Sequence, residues 1–258
     1  MISMLLRALT TQQVGIDQRV GETLSPGLTF RDERGAEVTL REAIGGKPTV
    51  LALVYYRCPM LCTLILNGLL QSLLEIDLTA GDRFNIVTVS FDPAEGPELA
   101  RTKKSHYLKA YGRPAAEGGW RFLTGSQGSI DRLCRETGYR ISADPATGQF
   151  AHGSALVLLT PEGRISRYLF GVSYPVRELR LSLVEASSGK IGTATDQFLL
   201  LCMRYDASTG RYGLAITRIL RIAAAATVLG LAGLVVLLVR RGKKPPAAPV
   251  VPTPAPGV

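Results

Sequence analysis

Histidine is scarce in this sequence: there are two among 258 residues, beside only four cysteines. So few cysteines exclude a small disulfide-dense scaffold. So few histidines leave any imidazole chemistry to His106 or His152. Acid is missing from the C-terminal part. All 21 acidic residues lie before position 207, while seven of the 30 basic residues follow position 210. Residues 1–210 carry 23 basic and 21 acidic groups. That near-neutral balance has no electrostatic footprint for nucleic acid, and no such partner is expected. A clear secretory pattern is also missing. Met1 to Leu9 has one basic residue and a short apolar patch, without a long apolar core or an A-x-A site.

The richest stretch is Thr49 to Thr63, TVLALVYYRCPMLCT. The β-branched and aromatic run Val50 to Tyr56 predicts a buried strand. Leu61 to Leu78 predicts a helix, with Leu66, Leu69, Leu70, Leu73 and Leu74 as its inward stripe. Pro59 suits a first helical turn. Cys58 and Cys62 thus sit where a strand hands over to a helix, four residues apart and on one helix face. Free N–H groups at a helix start favour thiolate. Such a pair can form a redox-active disulfide, hold a soft metal ion, or be two buried structural cysteines.

Around this stretch the chain reads as an ordered series. A hairpin joins Leu28–Phe30 to Val38–Leu40. Phe84 to Phe91 is a second strand, ending in Asp92 and Pro93, and makes a β-α-β unit with the first. Pro97 to Ala110 is a helix carrying Arg101, Lys103, Lys104, His106 and Lys109, so much of it faces water. Gly118 to Leu123 is a short strand. Ser126 to Thr137 is a helix capped by Ser126, with Ile130, Leu133 and Cys134 inward. A hairpin pairs Ala155–Leu159 with Ile165–Phe170. Pro175 to Ser187 is a helix with Val176, Leu179, Leu183 and Val184 inward. This order predicts an α/β, thioredoxin-like fold with an N-terminal hairpin extension.

In such a fold the loop bearing His152 lies beside the cysteine helix. Cys58, Cys62 and His152 then converge as a soft three-ligand set suited to copper, with zinc as an alternative. Asp92 is placed to bond His152, to ligate weakly, to hold an arginine, or simply to cap a helix. Arg57 could stabilise a thiolate, and Tyr56 is either core or functional. Cys134 reads as a buried hydrophobe, His106 as solvated, and Cys202 as structural or membrane-facing.

Ile222 to Val239 holds 18 uncharged residues, near the length of a membrane span. Arg218 and Arg221 precede it, and the denser cluster Arg240, Arg241, Lys243 and Lys244 follows. That bias favours a cytoplasmic C-terminus. The expected layout is an N-terminal segment 1–19, a main domain 20–187, a juxtamembrane linker 188–217, a single transmembrane helix 218–241 and a disordered Pro/Ala-rich tail 242–258. The main domain would face the periplasm from a bacterial inner membrane. Without a clear export signal, a cytoplasmic domain on a tail anchor stays open.

Three motifs in order carry a family resemblance: RCPMLC at Arg57–Cys62, SFDP at Ser90–Pro93, and AHGSALVLLTPEGRISRYL from Ala151. From about Gly21 to Ser187 the chain resembles the SCO1/SenC family of membrane-anchored, copper-binding cytochrome oxidase assembly proteins. The resemblance implies one copper ion per domain on Cys58, Cys62 and His152, with Asp92 matching the family's aspartate near the site. It implies a role in delivering copper to cytochrome c oxidase, directly or through another copper chaperone, or in reducing the cysteines of its copper site. Many members anchor through an N-terminal helix. A bacterial branch with a C-terminal one is closer, and position 204, often histidine there, is Arg204 here. The metallochaperone reading therefore stands beside a thiol–disulfide oxidoreductase that would draw on a thiol reductant. Against a general oxidoreductase stand the C-x-x-x-C spacing and His152–Gly153 where thioredoxins carry a cis proline.

Overall fold

Five consecutive apolar residues, Val50 to Val54, are fully buried, and the sheet is built around them. The structure is a computed structural model that describes residues 14–144, 148–191, 205–206, 211–212 and 214–242. In chain order the first elements are strands β1 (Gly15–Ile16), β2 (Thr29–Arg31) and β3 (Glu37–Thr39), helix α1 (Leu40–Ile44) and strand β4 (Thr49–Val54). Next come α2 (Leu61–Glu75), β5 (Asn85–Ser90), α3 (Pro97–Tyr111), α4 (Ala116–Gly119), β6 (Trp120–Leu123) and α5 (Gln127–Glu136). Then follow β7 (Tyr139–Arg140), β8 (Ser142–Ala143), β9 (Phe150–Ala151), β10 (Ala155–Leu159), β11 (Ile165–Phe170) and α6 (Val176–Ser187).

The main sheet has the order β11-β10-β4-β5-β6. β4, β5 and β6 are parallel, while β10 is antiparallel to both β4 and β11. β4 is central and buried on both faces, which explains its unbroken apolar run. The β-α-β unit and the C-terminal hairpin are those expected of a thioredoxin-like fold. β2 and β3 form the separate N-terminal hairpin.

Several boundaries and faces differ from expectation. β4 stops at Val54 rather than Tyr56, because the Tyr55 and Tyr56 N–H groups donate to the side chains of Cys62 and Glu95 instead of to the sheet. α2 ends at Glu75 rather than Leu78. There Arg113 donates to the carbonyls of Leu74, Ile76 and Leu78, satisfying groups that a helix end leaves open. Leu74 is 44% exposed and Val184 is 51% exposed, so neither faces the core. Ile65 is buried in its helix, as are Ser182 and Ala186 in theirs. Lys104 is buried in the basic helix α3, bonded to Glu33 on the β2–β3 turn. α1, α4, β1 and β7 to β9 are short elements that hydrophobic periodicity does not reveal.

Gly68 sits inside α2 where the loop after β11 crosses the helix. A methyl group there would overlap the carbonyl of Val172. The glycine thus permits close approach, at the cost in helix propensity that glycine carries.

Beyond Gln197 the chain forms a second compact unit. Its described elements are β12 (Tyr205–Asp206), β13 (Arg211–Tyr212) and α7 (Leu214–Gly242), a helix of 29 residues. The expected span 218–241 falls within α7. Among the described residues, however, no helix is long and apolar enough to cross a membrane. The side chains described in its apolar part, from Ala224 to Val239, are exposed. Met1–Leu9, Cys202, Arg204 and the tail after Gly242 lie outside the described residues.

Candidate metal centre

Past Val54 the chain leaves the sheet and turns, with the Cys58 N–H donating to the Tyr55 carbonyl at 3.2 Å. α2 starts three residues later. Its N-cap, Met60, offers no side-chain acceptor. The Cys58 sulfur takes that place, accepting the Cys62 N–H at 3.4 Å. The Thr63 hydroxyl donates to the Cys58 carbonyl at 3.3 Å and closes the turn. A sulfur at a helix start meets unpaired N–H groups and the positive end of the dipole.

Cys62 lies one layer deeper. Its sulfur accepts the Tyr55 N–H at 3.3 Å and lies 3.2 Å from Nε2 of His152. His152 follows β9 and is only 5% exposed. Its Nδ1 is 2.8 Å from the Gly153 carbonyl. A carbonyl only accepts, so Nδ1 carries the proton and the neutral ring turns its Nε2 lone pair toward Cys62. The imidazole packs against Phe91, with ring centroids 5.0 Å apart, and against Tyr55 at 6.3 Å. Phe150 closes the cluster against both of those rings. A methyl group on Gly153 would press on Ile16 of β1, so glycine lets that strand cover the histidine loop.

The two cysteines differ in acidity. Burial raises the Cys58 thiol, but N–H donors from Cys62 and Met60 and the Tyr55 hydroxyl outweigh it and hold Cys58 below the usual thiol value. Burial drives Cys62 far above that value, against the single Tyr55 N–H. Tyr55 itself is pushed up to about 12, chiefly by burial. Burial lowers His152, although its bond to Gly153 opposes the shift. Cys62 and His152 are therefore a neutral thiol and a neutral imidazole, with the S–H donated to Nε2.

Cys58, Cys62 and Cys134 are free thiols. Among the described residues, no group of three or more His, Cys, Asp or Glu side chains is gathered into a metal cage. The close contacts run from Cys58 to the backbone of Cys62, and from Cys62 to His152. Their chemistry still fits a soft ion: two sulfurs and one imidazole lone pair, with no carboxylate among them.

Asp92 makes local bonds instead. Its Oδ1 accepts the Ala94 N–H at 2.9 Å, and its own N–H donates to the Ser90 hydroxyl. The His152 proton goes to Gly153, so of the roles open to Asp92 it takes a capping one, at a turn rather than a helix. Tyr56 is core, its hydroxyl donating to the Leu123 carbonyl at 2.7 Å. Arg57 is exposed, and His106 is exposed beside Tyr107. Cys134 is half-buried and pushed up to about 12 by burial.

The carboxylate that sequence reasoning missed is Glu95. It is buried and bonds the backbone of Tyr56 and Arg57, just ahead of Cys58. Its targets are main-chain groups nearly forty residues away, so no side-chain pattern encodes the contact.

One pH effect follows from His152. The unfolded ring takes a proton near its ordinary value of 6.5, while the buried ring resists it. The resulting stability is full above that value and is lost as pH falls toward the lower folded pKa, at about 1.4 kcal/mol per unit of depression. Urea midpoints at pH 7.5 and 5.0 should fall further for the native chain than for H152Q. Equal falls would contradict this origin.

The SCO1/SenC family model matches residues 17–180. No curated protein matches the chain. Among solved structures, a protein of Aquifex aeolicus VF5, described as a candidate for electron transfer, is 26% identical with a TM-score of 0.58. The match covers 68% of this chain and 98% of that one. A SCO1/SenC family lipoprotein from Bacillus anthracis is 17% identical with a TM-score of 0.52, over 66% of this chain and 99% of its own. The Arabidopsis thaliana ScoI protein, solved with copper bound, is 21% identical with a TM-score of 0.50, over 66% and 99% of the two chains. These last two likenesses concern the fold. With its fold, its cysteine turn and its family match in agreement, the chain belongs to the SCO1/SenC family, whose function is copper-related redox chemistry.

Proposed function

We propose that this protein is a membrane-anchored copper metallochaperone that serves the copper centre of cytochrome c oxidase. Copper is its cargo, held by Cys58, Cys62 and His152. The observation that carries this reading is the Nε2 lone pair of His152, 3.2 Å from the Cys62 sulfur, with Nδ1 already committed to Gly153. Thiolates favour Cu(I), and an imidazole helps to accommodate Cu(II). Loading displaces the Cys62 thiol proton, so affinity rises with pH. Cys58, nearer the surface and more acidic, is the sulfur that a partner's thiolate meets first. The apolar run Ile222–Val239 in α7, with basic residues on both sides, supports an anchor that leaves the main domain on the periplasmic face. An anchor in the acceptor's own membrane raises effective concentration.

The unequal acidity of the two cysteines favours one second reading, a thiol–disulfide oxidoreductase. Cys58 thiolate would attack a partner disulfide and release one partner sulfur. Cys62 would pass its proton to Nε2 of His152 and attack the Cys58 sulfur, releasing the other. Two electrons reach the partner, and a Cys58–Cys62 disulfide remains.

Anaerobic Cu(I) titration of the reduced full chain separates the two. The metallochaperone binds one equivalent, loses it in C58A and in C62A, and binds at least about tenfold more weakly in H152A. A reduced chain that takes no copper yet reduces a disulfide in a copper-site peptide would overturn it in favour of the oxidoreductase.

A further inference from the structure

β4 and β5 stay paired up to Val54 and Ser90, and Phe91 donates its N–H to the Val54 carbonyl. Beyond that rung, the N–H groups of Tyr56 and Arg57 have no strand to bond. Glu95 receives both. Its Oε2 accepts the Tyr56 N–H at 2.6 Å and its Oε1 accepts the Arg57 N–H at 2.7 Å. The Ser90 hydroxyl, at the end of β5, donates to the same Oε2 at 2.6 Å. Glu95 is fixed in turn by its own N–H, which donates to the Asp92 carbonyl at 3.1 Å. The residue is only 3% exposed, and among the described residues no cation pairs with it.

Burying a carboxylate without a counter-cation is costly, and three short donors offset that cost. A neutral side chain would fill the space more cheaply. What a carboxylate adds is two acceptor atoms that can grip consecutive N–H groups while a third donor ties it to the sheet. Those two N–H groups immediately precede Cys58, whose sulfur must then reach the Cys62 N–H.

We propose that Glu95 is a positioning residue for the cysteine pair: its buried carboxylate fixes loop 55–57 to the end of β5, and so sets Cys58 against Cys62. The proposal needs Cys58 and Cys62 as the working pair of the function above, but it does not need copper. A looser loop lowers the effective concentration of one sulfur at the other. Disulfide formation reads this directly. Two protein thiols and glutathione disulfide give the protein disulfide and two glutathione thiols. One S–S bond forms as another breaks, and both protons and both electrons pass to glutathione.

The test is that equilibrium constant in the full chain for E95Q, E95D and E95A, with thermal stability measured alongside. Alanine removes the grip, and aspartate keeps the charge but falls one methylene short. Both should lower the constant by about tenfold or more. Glutamine keeps one of the two loop bonds and should show a smaller loss. In the native chain, the Tyr56 and Arg57 amides should exchange slowly with solvent. An E95D constant equal to the native one would overturn the proposal. So would an unchanged constant in all three variants, whatever their stability, or rapid exchange at both amides. If E95A does not fold, the other two variants and the exchange rates decide. A native chain that binds no copper would sink the metallochaperone reading and leave this equilibrium measurable.

Discussion

At pH 7.5 the reduced chain is expected to react with iodoacetamide at Cys58, at least about thirtyfold faster than at Cys62 or Cys134. Only the thiolate attacks, so each unit of pKa above ambient pH removes about tenfold of the reactive form. Lower nucleophilicity of the more acidic sulfur gives back roughly half of that on a logarithmic scale. Cys58 lies below the ordinary thiol value because helix N–H groups and the Tyr55 hydroxyl outweigh its burial. Burial holds Cys134 near 12 and drives Cys62 far above the ordinary thiol value. Quenched samples analysed by mass spectrometry give the three rates. The Cys58 rate should reach half its plateau below pH 9, the value of an unperturbed thiol. Equal labelling of Cys58 and Cys62, or Cys62 first, would mean that the helix start does not set the order.

E33A is expected to destabilise the fold by about 3–5 kcal/mol, the range for breaking a buried ion pair from one side. Lys104 reaches Glu33 Oε1 at 2.5 Å from a site where the lysine is only 6% exposed. The same carboxylate accepts the Phe122 N–H at 3.3 Å, so it also covers the outer edge of β6. Without it, the ammonium keeps the Glu117 carbonyl at 2.7 Å and a carboxylate at 3.6 Å whose side chain is 78% exposed. Neither replaces a buried anion. The double variant E33L with K104M should recover much of the loss, because replacing both partners with apolar groups removes the stranded charge. Urea denaturation of the single and double variants checks this. A loss under about 1 kcal/mol in E33A would show that the pair behaves as a surface bridge.

What the sequence makes legible follows from what each signal encodes. The run Val50–Val54 reveals a doubly buried strand because every side chain on it must be apolar. The leucines of α2 show their face through a 3,4 spacing, which fails at Leu74, beside the Arg113-capped helix end. Cys58, Cys62 and His152 stand out because soft donors are rare in this chain and two sit at a strand-to-helix turn. Asp92 stands out equally, yet its bonds are local. Nothing in its neighbours' identities shows that Gly153 holds the His152 proton. Glu95 and Lys104 were hidden for the opposite reason. A glutamate or lysine on a polar stretch reads as solvated, and only tertiary packing buries it. The continuous apolar run Ile222–Val239 marks a helix, found as part of α7.

On the proposed reading, two sulfurs and one imidazole nitrogen of the main domain hold copper. X-ray absorption at the copper edge, on the full chain loaded with one equivalent of Cu(I), tests it most directly. Two sulfur ligands near 2.2–2.3 Å, about the length of other metal–thiolate bonds, and one nitrogen are expected, with the nitrogen lost in H152A. A shell of nitrogen and oxygen alone, or a nitrogen that survives in H152A, would contradict it.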